Sequence, residues 1–320
     1  MKRIIIDADP GIDDMLAMLM ALKCRGVKVE GITTVNGNCS LAHATENTFR
    51  ILDMVGKKVP VYEGADKPLK IENKSAEDVH GADGFGGISY PEVKIEVEKE
   101  KAEEYLTRMV RENPKEITIV SIGPLTNIAK AILKDKTFVG NVKELILMGG
   151  SAGKGNHSPY AEFNFWNDPD SAKIVFEAGF PSLIMVGLNV TEKMILTEEM
   201  QEEMKKWKEP IADIICEALK QYNEFHWEKY KIQGSYVNDP VTIAYLLEPN
   251  LLGLKDCFVH IITEGEREGQ SVVDIGGAKA NGKTNAKVAF SVDITGFFKL
   301  MLTTIFPEKK KEIEAMLTKK

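Results

Sequence analysis

Short runs of branched apolar residues recur along the chain, at 3–7 (RIIID), 28–35 (KVEGITTV), 117–122 (ITIVSI), 144–149 (ELILMG) and 182–187 (SLIMVG). Between them lie longer segments, 13–23, 43–55, 102–113 and 171–179, whose apolar residues fall at helical spacing. Nearly unbroken apolar runs suit strands buried on both faces, and their alternation with helices leaves few architectures other than a parallel sheet covered on both sides. The expected fold class is therefore α/β: a doubly wound, mainly parallel sheet flanked by helices. In such sheets ligands sit beyond the carboxyl ends of the strands. A long amphipathic helical region is expected over 197–230, and a strand-rich stretch over 257–292 before a last helix. No Pro/Ser-rich linker interrupts 1–320, so a single domain is expected.

The first strand runs into DADPGIDD, which sets Asp7, Asp9, Asp13 and Asp14 within eight positions. Side chains alternate along a strand, so Asp7 and Asp9 share a side. Asp13 and Asp14 open the following helix, where free N–H groups favour carboxylates. A helix cap accounts for one or two aspartates, not for four. Carboxylates about 6 Å apart repel by roughly 3 kcal/mol per pair at an effective dielectric of 20, so the cluster calls for protonation or a cation. All-oxygen ligands with no neighbouring His or Cys point to a hard divalent ion, calcium or magnesium, rather than zinc.

Composition narrows the partners. Of 320 residues, 43% are hydrophobic and 28% charged, ordinary usage for a folded globular chain. A formal charge of -7 argues against a nucleic-acid polymer. The four cysteines form no C-x-x-C pair and suit a reducing compartment. No apolar segment approaches the roughly 18 residues that span a bilayer, and the run after MKR stops at Asp7, short of a signal sequence. A cytoplasmic protein without a membrane partner is expected. The charged segments 94–104 and 307–320 suit solvated helix faces or ends.

DADPGIDD resembles the amino-terminal motif of the inosine-uridine-type nucleoside hydrolases. Further motifs of that family follow in order: TVNGN (34–38), HGADGFGG (80–87), GPLTNIA (123–129), MGG (148–150), GNHSPYAEFNFWNDP (155–169) and NDPVTIAYLLEP (238–249). The resemblance implies calcium-dependent cleavage of the N-glycosidic bond of a small-molecule ribonucleoside, and a homo-oligomer, dimer or tetramer. It implies that Asp9, Asp14, Asp239 and the carbonyl of Thr126 hold Ca2+, with Asp9 doubling as general base. It places Asp13, Asn38, Asn156, Glu162 and Asn164 on the ribose. His80 and residues 222–234 correspond to two mobile loops, with Phe225, Trp227 and Tyr230 available to stack on a base.

One position departs from the pattern. Relatives usually carry a histidine before the carboxyl-side aspartate as acid to the leaving base, and this chain has Asn238. Asparagine donates a hydrogen bond but delivers no proton. His226, Tyr230 or Tyr236 could supply the acid, or Trp166 and Trp227 could sandwich a purine. A purine or modified purine is expected, with a 7-deazapurine nucleoside such as queuosine as the alternative. Two further alternatives are an inactive nucleoside-binding protein and an aspartyl-phosphate phosphatase, which also begins with D-x-D. Asn189, where relatives often carry aspartate, is assigned no role.

Overall fold

The computed structural model describes residues 1–71 and 77–318, so the last two lysines of the charged tail lie outside it. The strands are β1 (Lys2–Ala8), β2 (Val27–Thr34), β3 (Val61–Glu63), β4 (Ile117–Ser121), β5 (Glu144–Met148), β6 (Leu183–Val186), β7 (Ile195–Thr197), β8 (Gly234–Tyr236), β9 (Leu252–Ile261), β10 (Ser271–Ile275) and β11 (Ala286–Val292). Nine of them form one sheet in the order β10-β9-β11-β6-β5-β4-β1-β2-β3. Every pairing from β11 to β3 is parallel, and β9 runs antiparallel to both its neighbours. The doubly wound expectation holds. The strand-rich carboxyl-terminal stretch extends this same sheet, because β11 pairs directly with β6.

β1 feeds both halves of the core. Ile4 and Ile6 pack with the apolar residues of helix Ile12–Lys23, while Ile5 faces the other layer with Tyr105, Leu106 and Ile119. That first helix is buried at every residue from Ile12 to Leu22, as its nearly all-apolar sequence requires. It is covered by helices Pro210–Tyr230, Pro240–Leu247 and Ile294–Ile305. No helix among the described residues is long and apolar enough to cross a membrane. Cys39, Cys216 and Cys257 are buried.

The expected helical region over 197–230 is two helices, Glu198–Lys205 and Pro210–Tyr230. Pro210 causes the break. It offers no N–H to a continuing helix and holds Glu209 extended (φ -104°, ψ 122°), whereas at the first turn of the second helix it fits without loss.

The strand order sets the location of any ligand. From β1 the chain winds outward through β2 to β3, then returns to the other side of β1 and winds away through β4, β5 and β6. The crevice between β1 and β4 is the topological switch point. Asp9 follows one strand there, and residues 122–126 follow the other.

Asp7 stitches this crevice from below. Its Oδ1 accepts from Thr33 Oγ1 at 2.6 Å and Asn127 Nδ2 at 2.8 Å, and its Oδ2 from Ser121 Oγ at 3.0 Å. Burial pushes its carboxyl up to about 6, against the pull of these donors. Asn127 also donates to the Thr34 carbonyl and accepts from the Ala65 N–H, so one amide ties β1, β2 and the loop after β3 to helix Thr126–Lys134. Asn127→Ala would strip a buried carboxylate, a carbonyl and an N–H of partners, each worth about 1–3 kcal/mol unpaired. We expect a loss of roughly 2–4 kcal/mol in urea unfolding, after partial relaxation.

Candidate active site

At the carboxyl edge of β1 and β4 the chain closes tightly around Asp9. The Asn38 N–H donates to Asp9 Oδ2 at 2.7 Å, and Asp9 Oδ1 is buried with no partner. Glycines on two loops make the enclosure possible. A Cβ on Gly37 would stand 2.0 Å from Asp9 Oδ2, and one on Gly123 would stand 2.5 Å from Oδ1. The N-G-N and G-P-L segments therefore carry glycine because the carboxylate occupies the space of a side chain, which no turn preference alone demands.

Asp14 is held in the same manner. Its Oδ2 accepts from the Gly11 N–H and from Asn38 Nδ2, both at 3.0 Å, and its Oδ1 is buried and unpartnered. Asp239, just before helix Pro240–Leu247, lies against it. Carboxylate oxygens of Asp13, Asp14 and Asp239 lie within 4.8 Å of one another. Asp9 stands outside this compact triad, and Asp13, assigned by resemblance to the sugar, stands inside it. Burial raises Asp9 and Asp239 well above the usual carboxylate range and Asp14 to about 7, reinforced in each by the nearby charge of Asp13. Two bare, buried carboxylate oxygens in such a field match the donor set of a hard divalent cation. Thr126 starts the helix after β4 and anchors it by donating from Oγ1 to Asp168 Oδ2 at 2.7 Å.

Above the acids lies a cavity of about 220 Å³. Asp13, Asn38, His80, Asn156, Glu162, Asn164, Asn238 and Asp239 all line it, drawn from five separated sequence motifs. Glu162 caps helix Phe163–Asn167, accepting from the N–H groups of Gly150, Asn164 and Phe165. Even so, burial pushes its carboxyl up to about 7. Asn164 Nδ2 spans the carbonyls of Ile122 and Met148 at the ends of β4 and β5. Asn156 Oδ1 accepts from the Phe163 N–H. These side chains hold the loops that carry them as well as facing the cavity.

Asn238 is committed to a neighbour. Its backbone N–H and its Nδ2 both donate to Asp13 Oδ2, at 3.2 and 3.1 Å, while its Oδ1 is buried without a partner. His80 is not on an open loop. It ends the turn Glu77–His80, only 5% exposed, and its Nδ1 accepts from the Ile12 N–H at 3.2 Å.

The far wall is aromatic: Tyr222, Phe225, His226 and Tyr230 of helix Pro210–Tyr230, with Tyr236, Phe163 and His157. Trp227 does not join them, which corrects the expectation that it contacts substrate. It is 49% exposed, with Lys231 over its ring, because helical spacing turns it a quarter-turn away from His226. Trp166 stacks on His157 at 3.4 Å between ring centroids and is not itself part of the lining, so no tryptophan pair sandwiches a ligand. Sequence reasoning missed Tyr222, His157, Phe163, Leu188, Glu192 and Lys229 as lining residues. For Tyr222 the i, i+4, i+8 spacing with His226 and Tyr230 was available as a signal. Asn189 takes a structural part, accepting from the Ala152 N–H and donating to the Ala289 carbonyl.

Comparison with known proteins matches residues 4–299 to the family model described as inosine-uridine preferring nucleoside hydrolase. The chain is 38% identical over 303 residues to a probable uridine nucleosidase 2 of Oryza sativa subsp. japonica, covering 92% of this chain and 90% of that one. It is 37% identical over 308 residues to the pyrimidine-specific ribonucleoside hydrolase RihA of Shewanella baltica (strain OS185), covering 95% and 96%. Among solved structures it superposes on a plant nucleoside hydrolase with a TM-score of 0.90 at 33% identity, covering 95% and 98%.

The tight fit around Asp9 gives a direct test. Gly37→Ala would drive a methyl into its carboxylate, so divalent-cation affinity measured by calorimetry should fall about 10- to 100-fold.

Proposed function

The chain belongs to the inosine-uridine preferring nucleoside hydrolase family, and from that premise we propose that it cleaves uridine-type ribonucleosides in a calcium-dependent reaction. It is an N-glycosyl hydrolase acting on ribonucleosides. The observation that carries the finer reading is the pairing of two environments in one cavity, buried carboxylates at the switch point and aromatic rings opposite. A sugar with vicinal hydroxyls suits the first and a flat base suits the second.

Asp9, Asp14, Asp239 and the Thr126 carbonyl are the proposed calcium holders. When bound, calcium lowers the pKa of a water and orients it with the ribose hydroxyls. Asp9, with one oxygen fixed by Asn38 and the other bare, takes the proton of the attacking water. The water oxygen bonds to the anomeric carbon as the carbon–nitrogen bond breaks and its electron pair leaves with the base. Asp13, Asn38, Asn156, Glu162 and Asn164 bind the ribose, and carboxylates beneath the ring favour its oxocarbenium character.

Asn238 acts here as a positioning residue, holding Asp13 through two hydrogen bonds rather than supplying a proton. Charge developing on the departing base falls to donors of the aromatic wall. Burial raises Tyr236 and pushes Tyr230 up to about 12, so both phenols keep their protons at neutral pH and can donate.

The sequence alone favoured a purine or modified purine. Relatives named for uridine and pyrimidine hydrolysis, together with tryptophans outside the cavity lining, favour a pyrimidine. A panel of uridine, cytidine, inosine, guanosine and a 7-deazaguanine nucleoside, read by mass spectrometry of the released base, tests this. Uridine should be cleaved fastest, chelation should stop turnover and added calcium restore it. Asp9→Ala should lower kcat by about 10³-fold or more. A near-normal rate for Asp9→Ala would remove the mechanism, and preferential release of a purine would overturn the base assignment.

A further inference from the structure

Three imidazoles line the cavity, and on two of them, His226 and His80, the backbone fixes opposite tautomers. His226 Nδ1 lies 2.7 Å from the carbonyl oxygen of Tyr222, one turn earlier on the same helix. A carbonyl only accepts, so Nδ1 carries the proton and Nε2, on the opposite edge of the ring, keeps a lone pair. His80 is reversed. Its Nδ1 accepts from the Ile12 N–H, which puts the proton of the neutral ring on Nε2.

The His226 ring is locked as well as its tautomer. It is 3% exposed and meets Tyr222 and Tyr236 edge-on, at 4.3 and 5.1 Å between centroids and 81° and 83° between planes. The contact with the Tyr222 carbonyl is its one hydrogen bond among the described residues. Burial lowers its pKa to about 4, which keeps it neutral near pH 7. A fixed acceptor thus lies within the aromatic wall, where the base is proposed to bind.

We infer that His226 Nε2 accepts a hydrogen bond from a ring imide N–H of the base, selecting uracil- and hypoxanthine-type nucleosides over cytosine- and adenine-type ones. Uracil and hypoxanthine carry a hydrogen on the ring nitrogen of their recognition edge. Cytosine and adenine carry a lone pair there. Facing His226, that lone pair leaves two buried acceptors without a donor, and a site built around one hydrogen bond rejects such a ligand strongly. The inference rests on the assignment of the aromatic end to the base, and it deepens the uridine reading by naming the group that is read.

The experiment compares kcat/KM for uridine, cytidine and 3-methyluridine in the wild type, His226→Leu and His226→Gln. The wild type should favour uridine over 3-methyluridine by about 10- to 100-fold. That arm needs no altered protein. His226→Leu should bring the uridine-to-cytidine ratio down by a similar factor, and His226→Gln, whose Oε1 can accept, should recover part of it. Equal cleavage of uridine and 3-methyluridine overturns the inference, as does a uridine-to-cytidine ratio unchanged in both variants. If the wild type releases no base from any of the three while it cleaves purine nucleosides, the pyrimidine reading fails with it. A failure confined to the ratios leaves that reading standing.

Discussion

Asp9, Asp14 and Asp239 sit out of water at the mouth of the sheet, each pushed toward protonation by burial and by like charge in the cluster, Asp13 included. At about 5 Å, a pair of like charges costs roughly 3 kcal/mol at an effective dielectric of 20. Several such pairs would consume much of the stability of an ordinary domain. Backbone and amide donors offset part of this cost, since Asn38 alone serves both Asp9 and Asp14. The oxygens left bare define what remains for a cation. Glycines at 37 and 123, the turn at Pro10-Gly11 and the placement of helix Ile12–Lys23 all follow from enclosing that charge.

Beneath the cluster, the Asp7–Asn127 network fixes the spacing of the strands that converge on it. Asp7 had no role that its sequence position could disclose. Its three partners come from β2, β4 and the helix after β4, up to 120 residues away, and they become neighbours only when the sheet forms. Above the cluster, the side chains facing the cavity are also those that hold its loops. Glu162 caps a helix, Asn164 spans two strands and Asn238 braces Asp13. The side chains that face the cavity are thus held by local folding contacts, which leaves them little freedom to move.

Strand and helix order was legible because buried parallel strands and amphipathic helices write distinct periods into the chain. The acidic and amide end of the cavity was legible because its residues cluster in short motifs at strand ends. The aromatic end was not. Most of its members lie along one helix at spacings that equally describe core packing, so Trp227 looked as suitable as Phe225 or Tyr230 until the helix was oriented. The tautomer of His226 was out of reach for the same reason, since it depends on a backbone carbonyl rather than on any neighbouring residue type. The break before Pro210 was readable from proline chemistry, yet the amphipathic pattern on both sides obscured it.

The account depends on the buried carboxylates being balanced by a calcium ion bound to the folded protein. Thermal unfolding followed with and without calcium, at neutral pH and in the presence or absence of a chelator, addresses this without reference to any substrate. An ion held only by the native state must raise Tm in proportion to the logarithm of its concentration. The account predicts such a rise, lost on chelation and absent in Asp14→Ala. A Tm indifferent to calcium, or a rise equally large in Asp14→Ala, would contradict it.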